Sequence, residues 1–177
     1  MKKRVFLALL IPKEIKNEIS QWQSDHKSLP VRWIRPENLH ITLIPPWYAG
    51  HEEIEEASSD TMPVIKEAKK FSVNFDKVLF GPPGRMARLI WAEGQNPREF
   101  IDLKAALEKA LAKFSHPENR PPKLHLTIAR FQPGSINPLP ELDEKIDWSF
   151  EANEIAIMES VLKRTGAEYA PLKIFHF

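Results

Sequence analysis

Two stretches of this chain follow one pattern: "NLHITLIPP" at residues 38–46 and "KLHLTIARF" at residues 123–131. Each reads Leu-His-aliphatic-Thr-aliphatic, and the two histidines, His40 and His125, stand 85 positions apart. Side chains alternate between the two faces of a β-strand. Leu39, Ile41 and Leu43 therefore share one face, and Leu124, Leu126 and Ile128 repeat that face in the second copy. The opposite faces carry His40 with Thr42, and His125 with Thr127. The fold must therefore bury one side of each strand while showing an imidazole and a hydroxyl to something other than the core.

The segments around these strands alternate between helical and strand periodicity. "VFLALLI" at residues 5–11 is an apolar run far too short to span a bilayer. Pro12 and the charged "KEIKNEI" follow it at once, with no small-residue cleavage site, so the basic start and apolar run read as a first buried strand rather than a signal peptide. A helix opens at Pro12, with Ile15, Ile19, Trp22 and His26 at helical spacing. "VRWIR" and "LHITLI" read as strands joined by a Pro-Glu-Asn turn, and residues 51–70 as a helix that Pro63 should kink or split. Residues 71–80 and 87–93 read as strands around a "GPPGR" turn.

The next helix has the strongest start signal: Asn96 as N-cap, Pro97 at the first position and Glu99 as the capping-box acid. Its stripe is Phe100, Leu103, Leu107, Leu111 and Phe114. The loops "SHPENRPP" and "FQPGSINPLPELDEK" flank the second histidine strand, and two strand-like runs, residues 148–163 and 168–177, complete the chain. Three helices and roughly eight strands in mixed order indicate an α+β protein with largely antiparallel sheets. Apart from the two His-Thr segments no internal repeat stands out, and no Gly/Ser-rich linker divides residues 1–177, which read as one domain of two lobes.

Charge and composition narrow the function. Lys plus Arg number 25 against 24 Asp plus Glu, a balance unsuited to coating long nucleic acid but compatible with a local basic pocket for one or two phosphates. The absence of cysteine removes disulfides, thiolate metal sites and a thiol nucleophile. His26, His51, His116 and His176 lack a repeated context and read as structural or exposed. A pair of imidazoles facing one cleft suits proton transfer near neutral pH, because each has an ordinary pKa of about 6.5. A neutral ring takes a proton from a nucleophile while a protonated one supplies a leaving group. Thr42 and Thr127 can hydrogen-bond anionic oxygens, or can reflect strand propensity alone.

Arg130 is the nearest cation to the second motif, but it lies five residues after His125, where strict alternation sends it to the opposite face. It reaches the cleft only if the strand ends, twists or bulges near Ala129; otherwise it is a surface arginine. Paired histidines also suggest a metal, yet catalytic zinc normally takes three protein ligands and no HExxH or equivalent cluster is present. Metal-free chemistry without a cofactor is the expectation. "GPPGR" has the wrong spacing for a phosphate loop.

These residues resemble the two-histidine phosphoesterase superfamily, whose hallmark is a pair of His-x-Thr/Ser-x motifs, here residues 40–43 and 125–128. The branch most similar is that of the RNA 2′,3′-cyclic phosphodiesterases, historically called 2′-5′ RNA ligases. The similarity extends through "RVFLALLIP", "VRWIRPENLHITL", "ARLIWAE", "RPPKLHLTIAR" and "MESVLKRTGAEYAPLKIF". It implies a bilobal α+β fold, two largely antiparallel sheets around a central cleft with helices outside. It also implies metal-independent hydrolysis of a terminal 2′,3′-cyclic phosphate, on RNA or a nucleotide, to a 2′-phosphate. His125 would then be the proton acceptor that activates water and His40 the proton donor to the departing 3′ oxygen, with Thr42, Thr127 and Arg130 holding the phosphate.

The chain departs from this branch after the first motif, where "IPPWYAG" replaces a Lys-Phe-Leu-Gly-like stretch. Trp47 or Tyr48 could there stack on a base, although rim packing is the preferred reading. Two rival functions are the reverse reaction, sealing a 2′-5′ linkage, and non-catalytic binding of RNA termini or nucleotides. Binding alone would favour Arg or Lys over imidazole. The expected partners are RNA ends or nucleotides bearing a cyclic phosphate, with no membrane and no obligate protein partner, in a cytoplasmic setting.

Overall fold

The computed structural model describes residues 1–81, 88–116, 120–131, 142–164 and 166–177. In chain order its elements are β1 (Lys3–Leu10), α1 (Lys13–Asp25), β2 (Val31–Trp33), a 3-10 turn (Pro36–Asn38), β3 (His40–Ala49), α2 (His51–Glu67), β4 (Ser72–Gly81), β5 (Leu89–Glu93), α3 (Arg98–Ala110), β6 (His125–Phe131), β7 (Asp143–Glu151), β8 (Glu154–Lys163) and β9 (Gly166–His176). The strands make two antiparallel sheets, one ordered β3-β1-β8-β9 and the other β2-β6-β5-β4-β7.

The apolar run that opens the chain is continuous because both faces of β1 are covered. Val5, Leu7 and Leu9 enter the main core, while Phe6 and Ala8 pack with Ala156 and Met158 in a second cluster joined by Leu10 and Tyr169. The main core contains residues of both sheets, including Ile41 and Leu43 from β3 and Leu126 and Ile128 from β6. Burying each such Leu or Ile contributes about 1.5–3 kcal/mol, so the aliphatic faces of both motif strands are held firmly.

An element-level repeat emerges that composition did not reveal. β1–α1–β3, with β2 and the 3-10 turn between α1 and β3, and β5–α3–β6 each run from strand through helix to a His-x-Thr strand paired antiparallel with the first. The helices are exchanged between halves. α1 packs against β7 of the other sheet, and α3 packs against β3 and α2. One cluster of buried side chains therefore spans the two halves.

Several local expectations are revised. Pro63 lies within α2 and does not split it. It faces solvent, and so does Ser59, whose carbonyl loses its helical partner, while Ile54, Ala57, Thr61 and Ile65 hold the other side in the core. Asn96 does not cap α3, whose N-cap is Pro97. Its side chain instead accepts from the Leu124 N–H (2.6 Å) and donates to the Pro122 carbonyl (3.0 Å), clamping the approach to β6. β3 continues through "IPPWYA" because it is an edge strand, where prolines need not donate to a neighbour. The "GPPGR" turn beyond Gly81, residues 117–119 of the loop before β6, and residues 132–141 of the loop after it lie outside the described residues. Among the described residues, no helix is long and apolar enough to cross a membrane.

Candidate active site

Irregular pairing at equivalent points of the two motif strands shapes the site. In β3, Thr42 pairs Ala8 while Ile44 pairs Leu7, so Leu43 is an extra residue. In β6, Thr127 pairs Trp91 while Ala129 pairs Ile90, so Ile128 is the extra residue. Both bulges fall three positions after the histidine. Each breaks the alternation, leaving Leu43 with Ile44, and Ile128 with Ala129, buried in succession. In β6 the shift turns Arg130 to the side that carries His125 and Thr127, and in β3 the equivalent position is Pro45.

The helix from the other half satisfies the carbonyl at each bulge. Gln23 of α1 donates to Ile128 O (3.0 Å) and to Ile34 O (2.9 Å), and the Ile34 N–H also bonds Ile128 O. Lys104 of α3, a buried ammonium, donates to Leu43 O at 2.8 Å and pairs with Glu108 at 3.1 Å. A buried carbonyl without a donor costs on the order of 1–3 kcal/mol, so these contacts hold the bulges in place.

The two strands meet at a cleft of about 270 Å³ lined by His40, Thr42, His125, Thr127 and Arg130. Arg4, Phe6, Asn38 and Tyr169 complete much of its wall, none of them singled out from the sequence. The even positions of β1 held the signal for Arg4 and Phe6, since an apolar run without alternation implies that both faces are in use. Asn38 and Tyr169 had no local signal. Asn38 bonds the Ala167 carbonyl (2.9 Å) and the Tyr169 N–H (3.1 Å), tying the start of β3 to β9.

The two imidazoles are held alike. His40 Nδ1 lies 2.7 Å from the Asn38 carbonyl, and His125 Nδ1 lies 3.0 Å from the Lys123 carbonyl, each two residues back. A carbonyl only accepts, so both Nδ1 atoms carry hydrogen and Nε2 is the nitrogen whose protonation sets the charge of each ring. Each ring also rests on an aromatic of the neighbouring strand, His40 on Phe6 (4.8 Å between centroids) and His125 on Trp91 (4.7 Å). Tyr169 meets His40 edge-on at 5.1 Å.

Electrostatically the cleft favours anions. Burial lowers the pKa of His40 to about 4. Its hydrogen bond to Asn38 opposes this, and the charges of Arg130, His125 and Lys16 add to the lowering. Glu93 stands opposite His125 across the β5–β6 ladder. Burial resists its ionisation, but contacts with Lys123 and Lys77 outweigh that and hold it below the usual carboxylate range. Trp47 is buried and Tyr48 is 65% exposed, and neither lines the cleft. His26 stacks on Trp22 at 3.9 Å and lies 3.0 Å from Glu144. His51, His116 and His176 are not among the lining residues.

Known proteins share this arrangement of elements. A Thermus thermophilus protein, TT0787, superposes with a TM-score of 0.81 at 20% identity, covering 98% of this chain and 97% of its own. Escherichia coli LigT complexed with 3′-AMP gives 0.80 at 24%, covering 99% and 98%. At these identities the likeness is one of fold. Among curated sequences, the RNA 2′,3′-cyclic phosphodiesterase of Methanothermobacter thermautotrophicus is 26% identical over 182 residues, 99% of each chain. That of Escherichia coli is 28% identical over 177 residues, 96% of this chain and 94% of its own. The family model of the 2′-5′ RNA ligase superfamily matches residues 11–164, from α1 through both histidine strands and α3, and to that superfamily this chain belongs.

Proposed function

We propose that this protein hydrolyses terminal 2′,3′-cyclic phosphates of RNA or nucleotides to 2′-phosphates, by paired-histidine acid–base catalysis without a metal. The observation that carries the reading is the matched pair of imidazoles, each held through Nδ1 by the carbonyl two residues back and each lining the cleft that contains Arg130. The relatives from Methanothermobacter and Escherichia coli, each an RNA 2′,3′-cyclic phosphodiesterase, agree with it.

In this mechanism Arg130, Thr42 and Thr127 hold the non-bridging phosphate oxygens. His125 Nε2 takes a proton from water as the water oxygen attacks phosphorus. The P–O3′ bond breaks, its electron pair goes to O3′, and His40 Nε2 gives that oxygen a proton. The net result is one proton moved from His40 to His125, which solvent reverses before the next turnover. Each assisted transfer is typically worth ~10²–10⁴ in rate. Among the described residues, no three His, Cys, Asp or Glu side chains gather as metal ligands.

One observation favours the opposite division of labour. At about 4, His40 is neutral at physiological pH in the protein by itself, as a base should be. It serves as the acid only if the bound phosphate, an anion beside it, raises its pKa again. The test of the function is incubation with 2′,3′-cyclic nucleotides and cyclic-phosphate-ended RNA in EDTA. The expected result is a 2′-phosphate product at an undiminished rate. Loss of turnover on chelation, restored by zinc or manganese, would refute the metal-free reading.

A further inference from the structure

A second cleft of about 190 Å³ opens beside the first and shares Ile34, Asn38, Arg130 and Tyr169 with it. Arg32 and Arg35 supply its other positive charges. Arg32 and Arg130 are direct cross-strand partners in the β2–β6 ladder, both exposed. Like charges directly opposite on one face destabilise a sheet. Among the described residues no carboxylate pairs with Arg32, Arg35 or Arg130. Lys2, Lys3, Lys77, Lys113, Lys123 and Lys173, by contrast, are all paired elsewhere. Glu168, the acid in this wall, is engaged by Lys163 at 2.5 Å. Gly166 lies over Arg32 with φ +129°, a conformation that favours glycine. A Cβ there would stand 3.3 Å from Arg32 Nη1, so the glycine also leaves the guanidinium its room.

We infer that this second cleft binds the phosphodiester adjoining the terminal nucleotide, so that the preferred substrate is an RNA end of at least two nucleotides rather than a mononucleotide. The inference rests on the proposed reading of the neighbouring cleft. Guanidinium groups suit phosphate oxygens because they donate in parallel pairs and stay charged. Arg130 lines both clefts, so an anion in the second adjoins the guanidinium that faces the first. A bound phosphodiester also relieves the Arg32–Arg130 repulsion.

The experiment compares binding of 2′-AMP with adenylyl-adenosine 2′-phosphate, calorimetrically at several salt concentrations, alongside turnover of the corresponding cyclic phosphates. The dinucleotide should bind roughly tenfold more tightly, with a log–log salt slope steeper by about 0.7 for the extra phosphate. Arg32→Ala and Arg35→Ala should each reduce that advantage while leaving 2′-AMP binding and cyclic mononucleotide turnover unchanged. Arg32→Ala should also raise the unfolding temperature, since it removes a like-charge pair. Equal binding of the two ligands by the wild type would overturn the inference, as would a loss in the variants that is the same for both. Absence of turnover on every cyclic phosphate would instead refute the proposed reaction, and the binding comparison would then decide the second cleft alone.

Discussion

His40 carries the sharpest expectation at the scale of single residues. Its ring should titrate at about 4 in the protein by itself and move upward when inorganic phosphate binds, because an anion opposes the lowering by burial and Arg130. Following the ring proton by NMR across pH, with and without phosphate, checks both values; an unchanged pKa with phosphate bound would remove His40 as the acid. The same shift affects stability. An unfolded imidazole takes up a proton below about 6.5, whereas the folded one waits until about 4. The unfolded state therefore binds more protons in that window, and folding stability falls as pH drops through it. Urea unfolding at pH 7 and pH 4.5 should show a smaller acid loss in His40→Asn than in wild type. Thr42→Val and Thr127→Val should each lower kcat/KM by roughly 10- to 100-fold if each hydroxyl bonds a charged phosphate oxygen, and leave it intact if the threonines serve the strands alone.

At the scale of elements, the bulges at Leu43 and Ile128 connect strand geometry to the cleft. Lys104→Met should cost about 1–3 kcal/mol in urea unfolding by leaving the Leu43 carbonyl without its donor. It should lower kcat more than it raises KM, since Lys104 does not line the cleft and acts through the position of His40 and Thr42. Equal stability of the variant and wild type would show that the bulge does not depend on this contact. The His-x-Thr strands were legible because period-two alternation writes burial directly into neighbouring residues. Only the β6 irregularity was legible, and only as a requirement: for Arg130 to reach the cleft the strand had to end, twist or bulge near Ala129, whereas the β3 bulge had no signal. Nothing in the sequence marked Gln23 or Lys104 as the side chains that hold them, since a helix surface residue and a long-range partner look alike until the chain is folded. Asn96 misled for a related reason. Asn before Pro and Glu is a capping signature, and the same amide serves a partner at Leu124, 28 residues away.

Across the whole molecule, the exchange of α1 and α3 between halves explains how motif strands of two different sheets are held at one site. Each helix follows a strand of one sheet and supports the motif strand of the other, so the two halves cannot drift apart without breaking the Gln23 and Lys104 contacts. The near-neutral net charge conceals this organisation, because many lysines are spent in ion pairs while four arginines line the two clefts with no acidic partner among the described residues. The central claim is that His40 and His125 divide one proton donation and one proton removal between them. The most direct test measures wild type, His40→Ala and His125→Ala across pH on a 2′,3′-cyclic phosphate and on an activated aryl phosphodiester whose leaving group departs without a proton. The account predicts a bell-shaped profile for wild type and losses of about 10²–10⁴ in both variants on the cyclic phosphate. It also predicts that the aryl ester rescues His40→Ala and not His125→Ala. Rescue of His125→Ala instead would reverse the two roles, and full activity of either variant on the cyclic phosphate would contradict the account.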